Sequence, residues 1–174
     1  MRRVLTVVLG VLIVGAALVG LVTLLTARDE AGLAGGAAAE GPGVLEDDRG
    51  AGHGAEAPPA SDLPTSGPHR PRNVSQDASE ISGDELLHAL EQGNVVLAYD
   101  ASEPPPELRE VQDLVAGPFD PELAAAGQSV ILARIDGVDG AVALAWRRRL
   151  DSDDPADPQL REFAEAWLGM GAPG

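Results

Sequence analysis

The chain contains three histidines, His53, His69 and His88. Two of them stand where a site could be built. His88 and Glu91 are three residues apart in a stretch that reads as helix, so their side chains share a face. His69 ends Leu63-Pro64-Thr65-Ser66-Gly67-Pro68-His69, a loop stiffened by its prolines. If that loop folds over the helix, His69 meets His88. Two imidazoles and a carboxylate can hold zinc or copper, because neutral nitrogen and anionic oxygen suit borderline divalent ions. Gln92, four residues after His88, is a poor ligand. The competing reading ties His69 to backbone groups of its own loop and leaves His88 in water. His53 lies between glycines in an acidic tract and is expected to be solvated.

Other chemistries find less support. The chain has no cysteine, which removes disulfides, thiol nucleophiles and thiolate metal sites. Ser66 is near His69 in sequence, but no G-x-S-x-G elbow surrounds it. Asp151, Asp153, Asp154 and Asp157 invite a calcium loop, yet its sixth position is Ala156 where the turn needs glycine, and Pro155 and Pro158 stiffen it. Arg147-Arg148-Arg149 could grip an anion; pairing with nearby aspartates is the plainer expectation. Asn73-Val74-Ser75 is read as a chance match to a glycosylation triplet. No catalytic constellation emerges, so the chain is expected not to be an enzyme.

The elements that would position these residues are legible in part. Ser82-Gly83-Asp84-Glu85 is a capping box, followed by the Leu86, Leu87 and Leu90 stripe and by Gly93 as a stop. Val95 to Tyr99 is a continuous apolar run, suited to a strand covered on both faces. Pro106 opens a second helix, with Leu108, Val111 and Val115 on its buried face. Ser129 to Ile135 reads as a strand. The two Asp-Gly pairs at Asp136-Gly137 and Asp139-Gly140 signal a hairpin, with Ala141 to Arg147 returning. Asp157-Pro158 opens the last helix, whose stripe is Leu160, Phe163, Ala164, Trp167 and Leu168. The expected fold is α+β, a small mixed β-sheet in the order α-β-α-β-β-α. Its first two strands lie parallel through a right-handed crossover.

The rest of the chain frames this domain. Of 174 residues, 12 are basic and 28 acidic, for a net charge of −16. So acidic a surface argues against nucleic acid as partner. Arg2 and Arg3 precede Val4–Ala27, a run with no charged residue, longer than the roughly 20 residues a membrane-crossing helix needs. Residues 1–27 therefore read as a cytoplasmic stub and transmembrane signal anchor, with the arginines inside and the remainder outside the cytoplasm. Residues 28–63, rich in Ala, Gly, Pro and acid, read as a disordered linker. Residues 64–174 form the extracytoplasmic α+β domain.

Two of these segments also resemble a known bacterial family of commonly membrane-anchored proteins, domain of unknown function 3105. The residues that carry the likeness are Leu63-Pro64-Thr65-Ser66-Gly67-Pro68-His69 and His88-Ala89-Leu90-Glu91-Gln92-Gly93-Asn94-Val95-Val96. Ala145-Trp146-Arg147-Arg148-Arg149 resembles a strand end of the same family. The likeness runs from about Ser61 to Leu168. It implies a histidine where Gln92 stands here, and it implies no named activity. The function expected from these readings is a non-enzymatic binding module at the cell envelope, engaging an envelope protein or small ligand. The alternative is a zinc- or copper-binding module using His69, His88 and Glu91, and a weaker one is a hydrolase with an unrecognised site.

Overall fold

The computed structural model describes residues 41–173. Within it, the capping box closes in both directions. Ser82 Oγ accepts from Glu85 N, and the Glu85 carboxylate accepts from Ser82 N. This satisfies two of the amide groups a helix start leaves unpaired, and α1 (Gly83–Gln92) begins there. It ends at Gly93, whose φ of 109° is left-handed and open to glycine at no steric cost. The C-terminal tail pins this end: Gly169 N donates to Gly93 O and Ala172 N to Glu91 O, at 2.8 and 2.9 Å.

Six strands form one mixed sheet: β1 (Val44–Leu45), β2 (Ser79–Glu80), β3 (Val95–Tyr99), β4 (Val130–Arg134), β5 (Ala141–Ala145) and β6 (Arg148–Ser152). Their order across the sheet is β1-β6-β5-β3-β4-β2. β3 runs parallel to β4 and antiparallel to β5, and β4 runs parallel to β2. The connection between β3 and β4 carries α2 (Pro106–Val115) and a short α3 (Pro121–Ala125); α4 (Pro158–Trp167) follows the sheet.

Alternation along the strands divides the core. Val96, Ala98, Ile131, Ala133, Val142 and Leu144 face α1, meeting Leu86, Ala89 and Leu90. Val95, Leu97, Tyr99, Val130, Leu132, Ala141 and Ala143 face the other way, onto Leu108 and Val111 of α2 and Leu160, Phe163 and Trp167 of α4. Helices thus cover both faces, which is why β3 is apolar at every position. Each fully buried leucine of α1 contributes about 1.5–3 kcal/mol by leaving water. The helix that carries His88 and Glu91 is therefore held rigidly against the sheet.

The expected architecture needs correcting in three respects. First, the Asp-Gly turns do not make a hairpin: β4 and β5 are not neighbours, because β3 lies between them. The loop crosses the end of β3, with Ile135 N donating to Tyr99 O and Gly137 N to Asp100 Oδ2. The hairpin is β5–β6, turning at Trp146-Arg147, where Arg147 has φ 59° and its N–H donates to Thr65 O. Second, residues 41–63 are not a disordered linker. The compact unit starts at Gly41, β1 pairs with β6, and a 3-10 turn forms at Ala60–Asp62. Third, the expected transmembrane helix over Val4–Ala27 lies outside the described residues, as does the 28–40 part of the linker. Among the described residues no helix is long and apolar enough to cross a membrane.

Candidate metal centre

α1 presents His88 and Glu91 on the face opposite its leucine stripe. Two loops cross above them. The first carries His69 after Gly67; the second is the segment around His53. They meet as one isolated parallel bridge, with His69 N donating to Gly52 O at 3.0 Å and Gly54 N to His69 O at 3.3 Å. Asp84, one helical turn before His88, fastens both loops. Its Oδ1 accepts from Ala57 N at 2.8 Å and from Arg70 N at 3.1 Å. Those two amide bonds, with Arg70 nearby, hold the buried carboxyl below its usual range.

Glu91 Oε2 is the hub of the cluster. It lies 2.9 Å from His53 Nε2, 3.1 Å from His69 Nε2 and 3.3 Å from His88 Nδ1. The three rings stand 5.1 to 5.9 Å apart between centroids. His69 is fully buried, His88 and Glu91 are partly buried, and the His53 side chain is 48% exposed at the rim. Burial works against the charge on Glu91, but His53, His69 and His88 outweigh it and hold the carboxyl below the ordinary range. Burial also holds the His88 imidazolium down, against the pull of Glu91.

The protonation pattern follows from the partners. His69 Nδ1 is 3.0 Å from Gly67 O, an acceptor only, so the ring donates there and a neutral His69 turns its Nε2 lone pair to Glu91. A lone pair and a carboxylate oxygen at 3.1 Å repel unless a cation, proton or metal, lies between them. His88 is held from its other side, with Nε2 3.2 Å from Gln92 Nε2. Gln92 in turn donates to Asn73 Oδ1 at 3.4 Å. With the Gln92 NH2 donating to Nε2, the His88 proton sits on Nδ1, so a metal at Nδ1 requires the Gln92 amide to turn its oxygen to the ring.

His53, His69, His88 and Glu91 each offer one donor atom, and all four lie within 4.8 Å of one another. A tetrahedral zinc shell with bonds of about 2.05 Å sets its donors about 3.3 Å apart. Glu91 is already at that spacing from each ring, and the widest pair must close by about 1.5 Å. The expected His69, His88 and Glu91 are brought together. His53, expected in water, is the fourth member. It escaped because its contact with Glu91 spans 38 residues and its glycine neighbours carry no periodicity. The one sequence signal available was that the chain's few imidazoles include it.

The other candidates are placed elsewhere. Ser66 Oγ donates to Asp47 O and accepts from Arg49 N, a structural tie. Arg149 pairs with Asp151 and Arg147 with Asp48, while Arg148 lies over the Trp167 ring at 4.5 Å. Asp157 caps α4, its Oδ1 accepting from Gln159 N at 2.9 Å.

The family model described as protein of unknown function (DUF3105) matches residues 58–173, and the chain belongs to that family. No curated protein and no solved structure matches it. His53 lies just before the matched stretch, so this donor reaches the cluster from outside the family's span.

Proposed function

We propose that this member of an uncharacterised family binds one divalent transition-metal ion, zinc or copper(II), through His53 Nε2, His69 Nε2, His88 Nδ1 and Glu91 Oε2. The observation that carries the reading is the single carboxylate oxygen within 3.3 Å of a nitrogen from each of the three histidines. Three nitrogens and one oxygen, with no sulfur, favour zinc or copper(II) over copper(I) and over calcium or magnesium. Four protein donors fill a tetrahedral shell and leave no open position for substrate, so the role is binding rather than catalysis. Placement outside the cytoplasm is the location that the uncharged Val4–Ala27 run supports.

Calorimetric titration of the chelator-treated full chain tests the reading. One equivalent of zinc or copper(II) binds, and His69→Ala loses that event. No heat above the His69→Ala background for either ion contradicts it.

A further inference from the structure

Residues 41–59 include no buried residue. This segment is a strap laid over the surface of the domain, and its attachments fall into separate groups. At its start, Trp167 Nε1 donates to Pro42 O at 2.9 Å, and β1 pairs with β6. Gly43 has φ 83° and passes so close to the Arg149 carbonyl that a Cβ would stand 2.7 Å from it, so only glycine fits there. In the middle, Arg49 N donates to Ser66 Oγ, and the Thr65 hydroxyl donates to Glu46 Oε2. At its end, Ala57 N donates to Asp84. Between Arg49 and Ala57, its attachments include the two amide bonds of the His53–His69 bridge, the His53–Glu91 contact, the His53 ring against those of His69 and His88, the exposed Arg70–Glu56 pair and the partly buried Ala51 methyl packed on the core.

Such a stretch has few buried contacts to oppose the entropy of ordering it, which is the property of locally opening segments. It is also acidic, with Glu46, Asp47, Asp48 and Glu56, on a chain of net charge −16. The metal donors divide unevenly across this boundary. His69, His88 and Glu91 belong to the packed body; His53 belongs to the strap.

We propose that metal occupancy locks the strap: an ion shared between His53 and the body donors fastens residues 50–57 down, and removal of the ion frees them. This rests on the metal-binding reading and adds regulation to that site. A ligand that binds the docked form more tightly than the open one stabilises it by mass action.

The test uses the full chain, with and without one equivalent of zinc, followed in parallel by calorimetry, amide hydrogen exchange over residues 50–57 and tryptic cleavage after Arg49, an exposed residue. Zinc slows cleavage at Arg49-Gly50 and exchange across 50–57 by tenfold or more. In His53→Ala, zinc still binds the body donors more weakly, and at saturating zinc the protection is absent. His53 is half exposed, so this variant retains its core; His53→Gln serves as a second, isosteric check. If zinc binds the wild type but leaves Arg49 cleavage and 50–57 exchange unchanged, the strap proposal is overturned while the metal site stands. If zinc does not bind, the metal reading itself has failed.

Discussion

His69 Nε2 faces Glu91 Oε2 at 3.1 Å, while its Nδ1 is committed to the Gly67 carbonyl. In the neutral ring these are two acceptors pointed at one another, and only a cation between them makes the contact favourable.

Stability of the metal-free protein falls on acidification. Glu91 is held below its usual range, so its contribution is present above the unfolded carboxyl value of about 4.3 and is lost as pH drops through the folded value. His88 is also held low, so the unfolded chain takes up a proton first, below about pH 6.5, and stability declines from there towards the folded value. Denaturant midpoints measured from pH 8 to 4 for the wild type and His88→Gln separate the His88 part of that decline. His88→Gln flattens the upper part of that decline. A His88→Gln profile as steep as the wild type's between pH 8 and 6 contradicts the assignment.

Gln92 acts through His88 rather than as a ligand. With a metal on His88 Nδ1, the proton moves to Nε2, and the Gln92 amide must turn its oxygen towards it; Asn73 is the neighbour that senses the turn. Gln92→Ala lowers zinc affinity by about tenfold, with one-to-one stoichiometry kept. Unchanged affinity removes this role from Gln92.

Asp84 joins both loops to α1 through two amide hydrogen bonds and a carboxyl held below its usual range. Asp84→Ala leaves two part-buried amide donors without their acceptor and costs about 1–3 kcal/mol. Urea unfolding measures it; a loss below about 0.5 kcal/mol, the size of a surface substitution, contradicts the anchoring role.

Tyr99 is 1% exposed, and its hydroxyl has no hydrogen-bond partner among the described residues. Tyr99→Phe removes an unsatisfied buried group, so the change is neutral or stabilising by up to about 1 kcal/mol. Destabilisation beyond about 1 kcal/mol in the same assay reveals a partner for that oxygen.

What the sequence disclosed was local. Ser82 and Glu85 are three residues apart, and so are His88 and Glu91, so helix geometry alone pairs them. The sheet order was hidden because an Asp-Gly turn reports a bend, not the identity of the strands beside it; β3 fills the place the return strand was expected to take. The strap was hidden for another reason. Its side chains stay at the surface, so its composition resembles a linker, while backbone bonds to Ser66, His69 and Asp84 hold it in place. His53 was lost with it, and so the fourth donor.

An acidic chain with 28 carboxylates can collect zinc loosely, so the decisive measurement reads the ligands themselves. X-ray absorption at the zinc edge of the full chain, loaded with one equivalent, tests the centre. The arrangement of His53, His69, His88 and Glu91 predicts a four-coordinate shell of three imidazole nitrogens and one oxygen, at about 2.0–2.1 Å. A shell of oxygen donors without imidazole scattering contradicts it.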